Sequence, residues 1–201
     1  METSSARLRT PRAAGTAGIA FAVLLGAAIV LMRIAIPSAD GADAAVDPGD
    51  RWAVRTALEI VPFAGIFFLW FMGALRAHAG EAEDRFVSTV FLGSGIVFVA
   101  TLFVAAAAAG TVLQEGTDTV FGRHYAYVVL TTYAMRMAAV FVFATSTIGR
   151  RLGIFPRPLA LLGYVTGLVL LVVGSGVPWS ELILPAWSLV VGLYIVRAGI
   201  R

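Results

Sequence analysis

In the stretch 52–76, WAVRTALEIVPFAGIFFLWFMGALR, two charged residues interrupt an otherwise apolar run. Arg55 and Glu59 stand four positions apart, and Pro62 follows about one turn later. An offset of four places Arg55 and Glu59 on one face of a helix. An ionised side chain at the centre of a membrane helix costs about 2.5–3.5 kcal/mol on insertion scales, so it is expected to have a partner or a water-lined cavity. The partner expected here is Arg136, in the middle of a second apolar stretch, with Thr132 and Tyr133 one turn before it on the same side. At about 1.5 Å per residue, Glu59 falls roughly 10 Å along its helix and Arg136 roughly 18 Å along its own. An arginine side chain covers most of that difference. The reading predicts a buried group of Arg55, Glu59 and Arg136, with Thr132 and Tyr133 completing its hydrogen bonds. Pro62 adds a free acceptor, because the carbonyl of Leu58 loses its usual donor.

Such a group can do two things. It can pin helices together, since polar contacts between membrane helices contribute about 0.6 kcal/mol on average. It can also hold a ligand, and two positive charges against one negative suit an anionic headgroup or solute. Covalent chemistry is not expected. The chain has no cysteine, which excludes disulfide exchange, thiolate metal sites and cysteine nucleophiles. All 15 basic residues are arginine, so no lysine is available for a Schiff base. The two histidines, His78 and His124, sit near expected membrane edges, which argues against a bis-histidine haem. No set of nucleophile, base and orienting group appears at workable spacing, and neither does a phosphate-binding glycine loop. Neither a cofactor nor a metal site is expected.

The elements that position these residues follow from composition. Of the 201 residues, 59% are hydrophobic and 13% charged, against about 25% charged in a soluble domain. The apolar residues fall in long continuous runs, several reaching the roughly 20 positions that cross a bilayer as a helix. Lipid satisfies no backbone group, so helices are required, and the lack of alternation argues against a β-barrel. The expected fold is all-α: one polytopic bundle of six transmembrane helices over 15–201, with spans at about 15–36, 52–76, 87–110, 124–148, 158–175 and 180–197.

Residues 1–14 are small, polar and basic, and read as a disordered cytoplasmic tail. A cleaved signal peptide is disfavoured, because the first apolar run exceeds the usual 7–15 residues and Arg33 interrupts its end. Arg33 is expected to snorkel to the interface. The loop at 37–51 carries Asp40, Asp43, Asp47 and Asp50 without the alternate-position ligands and closing Glu of a calcium loop. The loop at 77–86 holds His78, Glu81, Glu83 and Asp84 without a repeated ligand pattern. Both read as hydrated turns. The third span is rich in small residues at Gly93, Ser94, Gly95 and 105–109, which suits a central helix, and Gly163 and Gly167 form a possible close-packing face.

Arginine asymmetry sets the expected orientation. Arg7, Arg9, Arg12, Arg76, Arg85, Arg150, Arg151, Arg157, Arg197 and Arg201 share one side, with Arg51 and Arg123 as exceptions on the other. The positive-inside rule then makes both termini cytoplasmic. The sequence pI near 9.8 reflects these flanking arginines, and nucleic acid is not an expected partner.

The segments PFAGIFFLWFMGALR (62–76), EDRFVSTVFLGSGIVFVA (83–100) and GRRLGIFPRPLALLGY (149–164) resemble uncharacterised six-span integral membrane proteins of high-GC, actinobacterial-type bacteria. That resemblance implies a bacterial plasma membrane and carries no activity with it. Two function classes stay open. One is a non-enzymatic structural or accessory component that contacts the lipid bilayer and, through small-residue helix faces, itself or another membrane protein. The other is a small transporter or channel for an anionic solute or lipid. Comparing 15–110 with 124–197 reveals no internal repeat and no proline at a midplane break, which favours the first class.

Overall fold

A computed structural model describes residues 10–35, 49–79, 85–114, 119–173, 177 and 179–198. Among them every regular element is helical: α1 (Thr10–Ala35), α2 (Arg51–Ala79), α3 (Arg85–Gly110), α4 (Thr119–Val128), α5 (Met135–Arg151), α6 (Arg157–Val172) and α7 (Ile183–Ala198). A π-helical segment, Val129–Ala134, joins α4 to α5 without a break, and one-turn 3₁₀ segments follow α3 and precede α7. Five helical stretches are long and apolar enough to cross a membrane: Ala13–Ala35, Arg51–Ala77, Arg85–Leu113, Val120–Arg151 and Ser180–Ala198. The sixth, α6, is apolar but has 16 residues, which at 1.5 Å each spans about 24 Å.

Two departures from the expected boundaries have simple causes. Helix α1 takes up Thr10 to Ala14, which the sequence assigns to the tail. Pro11 falls in its first turn, where the missing N–H needs no intrahelical acceptor. Helix α2 runs through to Ala79, into the segment read as a loop. Pro62 sits within it and does not end it. Residues 1–9 of the tail, Asp40, Asp43 and Asp47, and Glu81, Glu83 and Asp84 lie outside the described residues.

Neighbouring helices run antiparallel, as their close approaches show. A Cβ built on Gly18, early in α1, would lie 2.9 Å from the ring of Phe71, late in α2. One built on Gly95, early in α3, would meet Met72 of α2. On Gly167 of α6 it would lie 3.1 Å from Phe143 of α5, and on Gly192, late in α7, 2.8 Å from the carbonyl oxygen of Gly15. Packing therefore passes around the bundle from α1 through α2, α3, α4–α5, α6 and α7 and back to α1. Gly163 and Gly167 are both buried, and the face they form is spent inside the chain, against α5.

The core is aromatic. The ring of Phe68 in α2 lies 4.9 Å from Phe21 in α1, 4.9 Å from Phe98 in α3 and 4.8 Å from Phe141 in α5. All four are fully buried. Tilted and edge-on pairs of this kind contribute about 0.5–1.5 kcal/mol each beyond the area they bury. Small residues on the same helices, such as Ala64 and Ala138, let the rings fit. At the end of α5, Gly153 adopts a left-handed φ of 69° and turns the chain, with its N–H donating to the Arg150 carbonyl.

Candidate functional site

The five residues expected to form one buried cluster do not form one. Arg55, Glu59, Tyr133 and Arg136 are all exposed on the surface of the bundle, and Thr132 is half-buried. The guanidinium of Arg136 donates to the carbonyl of Thr132 on its own helix, at 2.8 Å. Among the described residues no ion pair links Glu59 to Arg55 or to Arg136. The face of α2 decides this. Its buried stripe is Val54, Ala57, Val61, Ala64, Phe68 and Phe71, while Trp52, Arg55, Glu59, Phe63 and Ile66 form the opposite stripe. Arg55 and Glu59 begin about 6 Å and 12 Å along α2, within reach of an interface by snorkelling.

A π segment lies directly before Arg136. The N–H of Met135 reaches back five residues to the carbonyl of Leu130. A widened turn shifts the ladder and leaves nearby carbonyls short of a regular donor. The Arg136 side chain donates to the carbonyl of Thr132, within this segment.

The ion pair lies elsewhere. Arg33 in α1 donates to Glu181 Oε1 at 2.6 Å. The Glu181 side chain is 2% exposed and that of Arg33 18%. Two aromatic rings complete the surroundings of the guanidinium, with Tyr127 of α4 at 5.6 Å and Trp179 at 6.0 Å from ring centroid to Cζ. Arginine over a ring face gains a cation–π attraction that strengthens with desolvation. Trp179 reaches its position with a left-handed backbone, φ 69°, which is costly for an aromatic residue. Arg33 therefore turns inward to a partner instead of snorkelling.

A cleft of about 130 Å³ opens beside this pair. Six alanines line it, Ala28 of α1, Ala57 of α2, Ala105, Ala106 and Ala109 of α3, and Ala126 of α4. Their short side chains leave the space. Arg33, Arg123, Tyr127 and Glu181 supply its polar lining, and apolar side chains the remainder. The pair binds only one carboxylate oxygen. Glu181 Oε2 is buried and has no hydrogen-bond partner among the described residues. Trp187 Nε1 and Ser188 Oγ are likewise buried without a partner among the described residues, but neither residue lines the cleft. A buried acceptor without a partner leaves its desolvation uncompensated.

No family model, curated protein or solved structure matches this chain. Geometry alone therefore speaks for the site. The arrangement offers an apolar body-binding space with a polar end that can both donate and accept hydrogen bonds. Among the described residues no group of three or more His, Asp or Glu comes together to hold a metal ion.

Sequence reasoning about Arg55 and Arg136 passed over Glu181, although a signal was present. It is an acidic residue followed directly by the apolar run of the last helix, and an ionisable residue in such a position marks a site by default. Arg33 carried the same signal at the end of α1. The distance of 148 positions between them hid their pairing.

Proposed function

We propose that this chain is a polytopic bacterial plasma-membrane protein that holds an amphipathic, lipid-soluble molecule in the cleft between α1, α2, α3 and α4. In this reading α6 completes six crossings, both termini are cytoplasmic, and the Arg33–Glu181 end of the cleft lies toward the outer face. The distribution of arginines supports that orientation. The protein acts by binding and does no covalent chemistry of its own, in keeping with the residue types it lacks. The observation that carries the reading is the alanine-lined apolar cleft with the Arg33–Glu181 ion pair at its polar end. The exposed Arg55, Glu59 and Arg136 play no part in the ligand site.

The experiment is extraction of bound small molecules from the purified protein, followed by mass spectrometry. Wild type is compared with Ala105→Leu, which fills the cleft and leaves the ion pair in place. A species that accompanies the wild type and is lost from the variant supports the reading. Equal content in both proteins overturns it.

A second reading, an accessory component that packs against itself or another membrane protein, has an observation of its own. Gly73 of α2 and Gly93 of α3 are exposed, and a Cβ on either would meet nothing within 4 Å. Small residues facing outward allow another helix to approach closely. Leucine at both positions would then weaken a co-purifying complex or self-association measured in detergent, while leaving the cleft ligand in place.

A further inference from the structure

Resting on the cleft reading, we infer that the cleft takes one unbranched alkyl chain, tail first, with the chain tip seated on the rings of Phe21 and Phe98. The walls give the direction. Arg33, Arg123 and Glu181 lie at one end, where α1 finishes and where α4 and the turn before α7 begin. The lining farthest from them is Leu25 of α1, Val61 of α2, Leu102 of α3 and Leu130, just beyond α4. A polar head therefore stays at the arginine end, and an apolar tail points toward the middle of the bundle.

The floor is aromatic. Phe21 lies one turn beyond Leu25 on α1, and Phe98 one turn beyond Leu102 on α3, both toward the bundle centre. Their rings meet edge-on at 6.3 Å, and Phe68 lies 4.9 Å from each. All three are fully buried. A close-packed floor of this kind does not admit an extra methylene without strain.

Length follows from helix register. The cleft runs from Leu25 to Arg33 on α1, about 12 Å of helix, and from Leu102 to Ala109 on α3, about 10 Å. An extended alkyl chain advances about 1.3 Å per carbon, given C–C bonds of about 1.5 Å, so about eight or nine carbons fill that length. A shorter chain leaves lining atoms without contacts, and a longer one must bend or push the rings aside. Width follows from volume. A cavity of about 150 Å³ takes a single benzene ring. The cleft's 130 Å³ therefore admits one chain and excludes two chains side by side or a fused-ring body.

The test measures dose-dependent thermal stabilisation of the full chain in detergent. Two homologous series, 1-alkanols and alkanoates of four to fourteen carbons, are compared at equal mole fraction in the micelle, so that the gain from leaving water cancels. Apparent affinity should peak near eight or nine carbons in both series and fall several-fold by fourteen. Leu25→Phe raises the floor and should move the peak to chains about two carbons shorter. Phe98→Leu lowers the floor and should move it the other way. If Phe98→Leu fails to fold, Leu25→Phe and the wild-type profile decide.

Two sources can supply such a chain, and phospholipids with one or two nonanoyl chains on the same head separate them. Tighter binding of the one-chain form supports a single-chain amphiphile, and equal binding supports one chain of a membrane phospholipid. A flat length profile, or a peak that neither variant moves, overturns the inference. The cleft reading survives that result provided that Ala105→Leu abolishes stabilisation. If no chain of any length stabilises the wild type, or if Ala105→Leu leaves stabilisation intact, the cleft reading itself fails.

Discussion

Arg33 and Glu181 stand 148 positions apart and meet at 2.6 Å. Their contact closes the bundle between the end of α1 and the start of α7, beside the cleft. A buried ion pair is expensive to assemble, because both ions leave water, and more expensive to break, because a lone charge remains behind.

That asymmetry predicts the outcome of mutating the pair. Arg33→Ala or Glu181→Ala should each lower stability by about 3–5 kcal/mol, with Arg33 toward the lower end because part of its side chain is exposed. The double variant should lose less than the sum, as residues in direct contact do. Denaturant unfolding in detergent, followed by circular dichroism, measures the cycle. Additive losses would show that the two residues do not pair in the folded protein.

The exposed charges predict the reverse. Glu59→Gln and Arg136→Gln should each change stability by no more than about 0.5 kcal/mol, and their effects should add. Thermal scans of the two single variants and the double suffice. A coupling energy above about 0.5 kcal/mol would place the two side chains in one network after all.

Glycines in the bundle divide into two classes. Gly192→Ala puts a methyl group 2.8 Å from the Gly15 carbonyl oxygen, which is backbone and cannot swing away. The expected loss is about 1–3 kcal/mol, the usual range for overpacking. Gly93→Ala meets nothing and should gain up to about 1 kcal/mol from helix propensity. The melting temperatures of the two variants should move in opposite directions from wild type.

Orientation can be read by labelling, because the chain has no native cysteine to obscure the signal. Asp43→Cys, in the segment between α1 and α2, should react with a membrane-impermeant maleimide on intact cells. Glu83→Cys, in the segment between α2 and α3, should react only after permeabilisation. The opposite pattern would invert the topology inferred from the arginines.

The helical class, and helices long and apolar enough to cross a membrane, were legible in the order of residues, because both follow from the length and continuity of apolar runs. Lipid tolerates no unpaired backbone, so a run of twenty apolar positions has few alternatives to a helix. Small residues were legible in part. Gly95 is buried against Met72, as a central α3 requires, whereas its neighbour Gly93 faces outward.

The partner of each charge was not legible, and the reason is physical. In a soluble helix the polar stripe marks the outside. In a membrane helix lipid and protein interior are equally apolar, so no hydrophobic contrast tells which face turns in. On α2 the inward face was chosen by fit: Ala57, Ala64 and Phe68 pack inward, and Arg55 and Glu59 were carried to the surface by the same rotation. Composition and spacing thus settled that charges would lie within apolar helices. Side-chain packing settled that Arg33 would pair with a buried Glu181, and that six alanines on four helices would leave a cleft beside them.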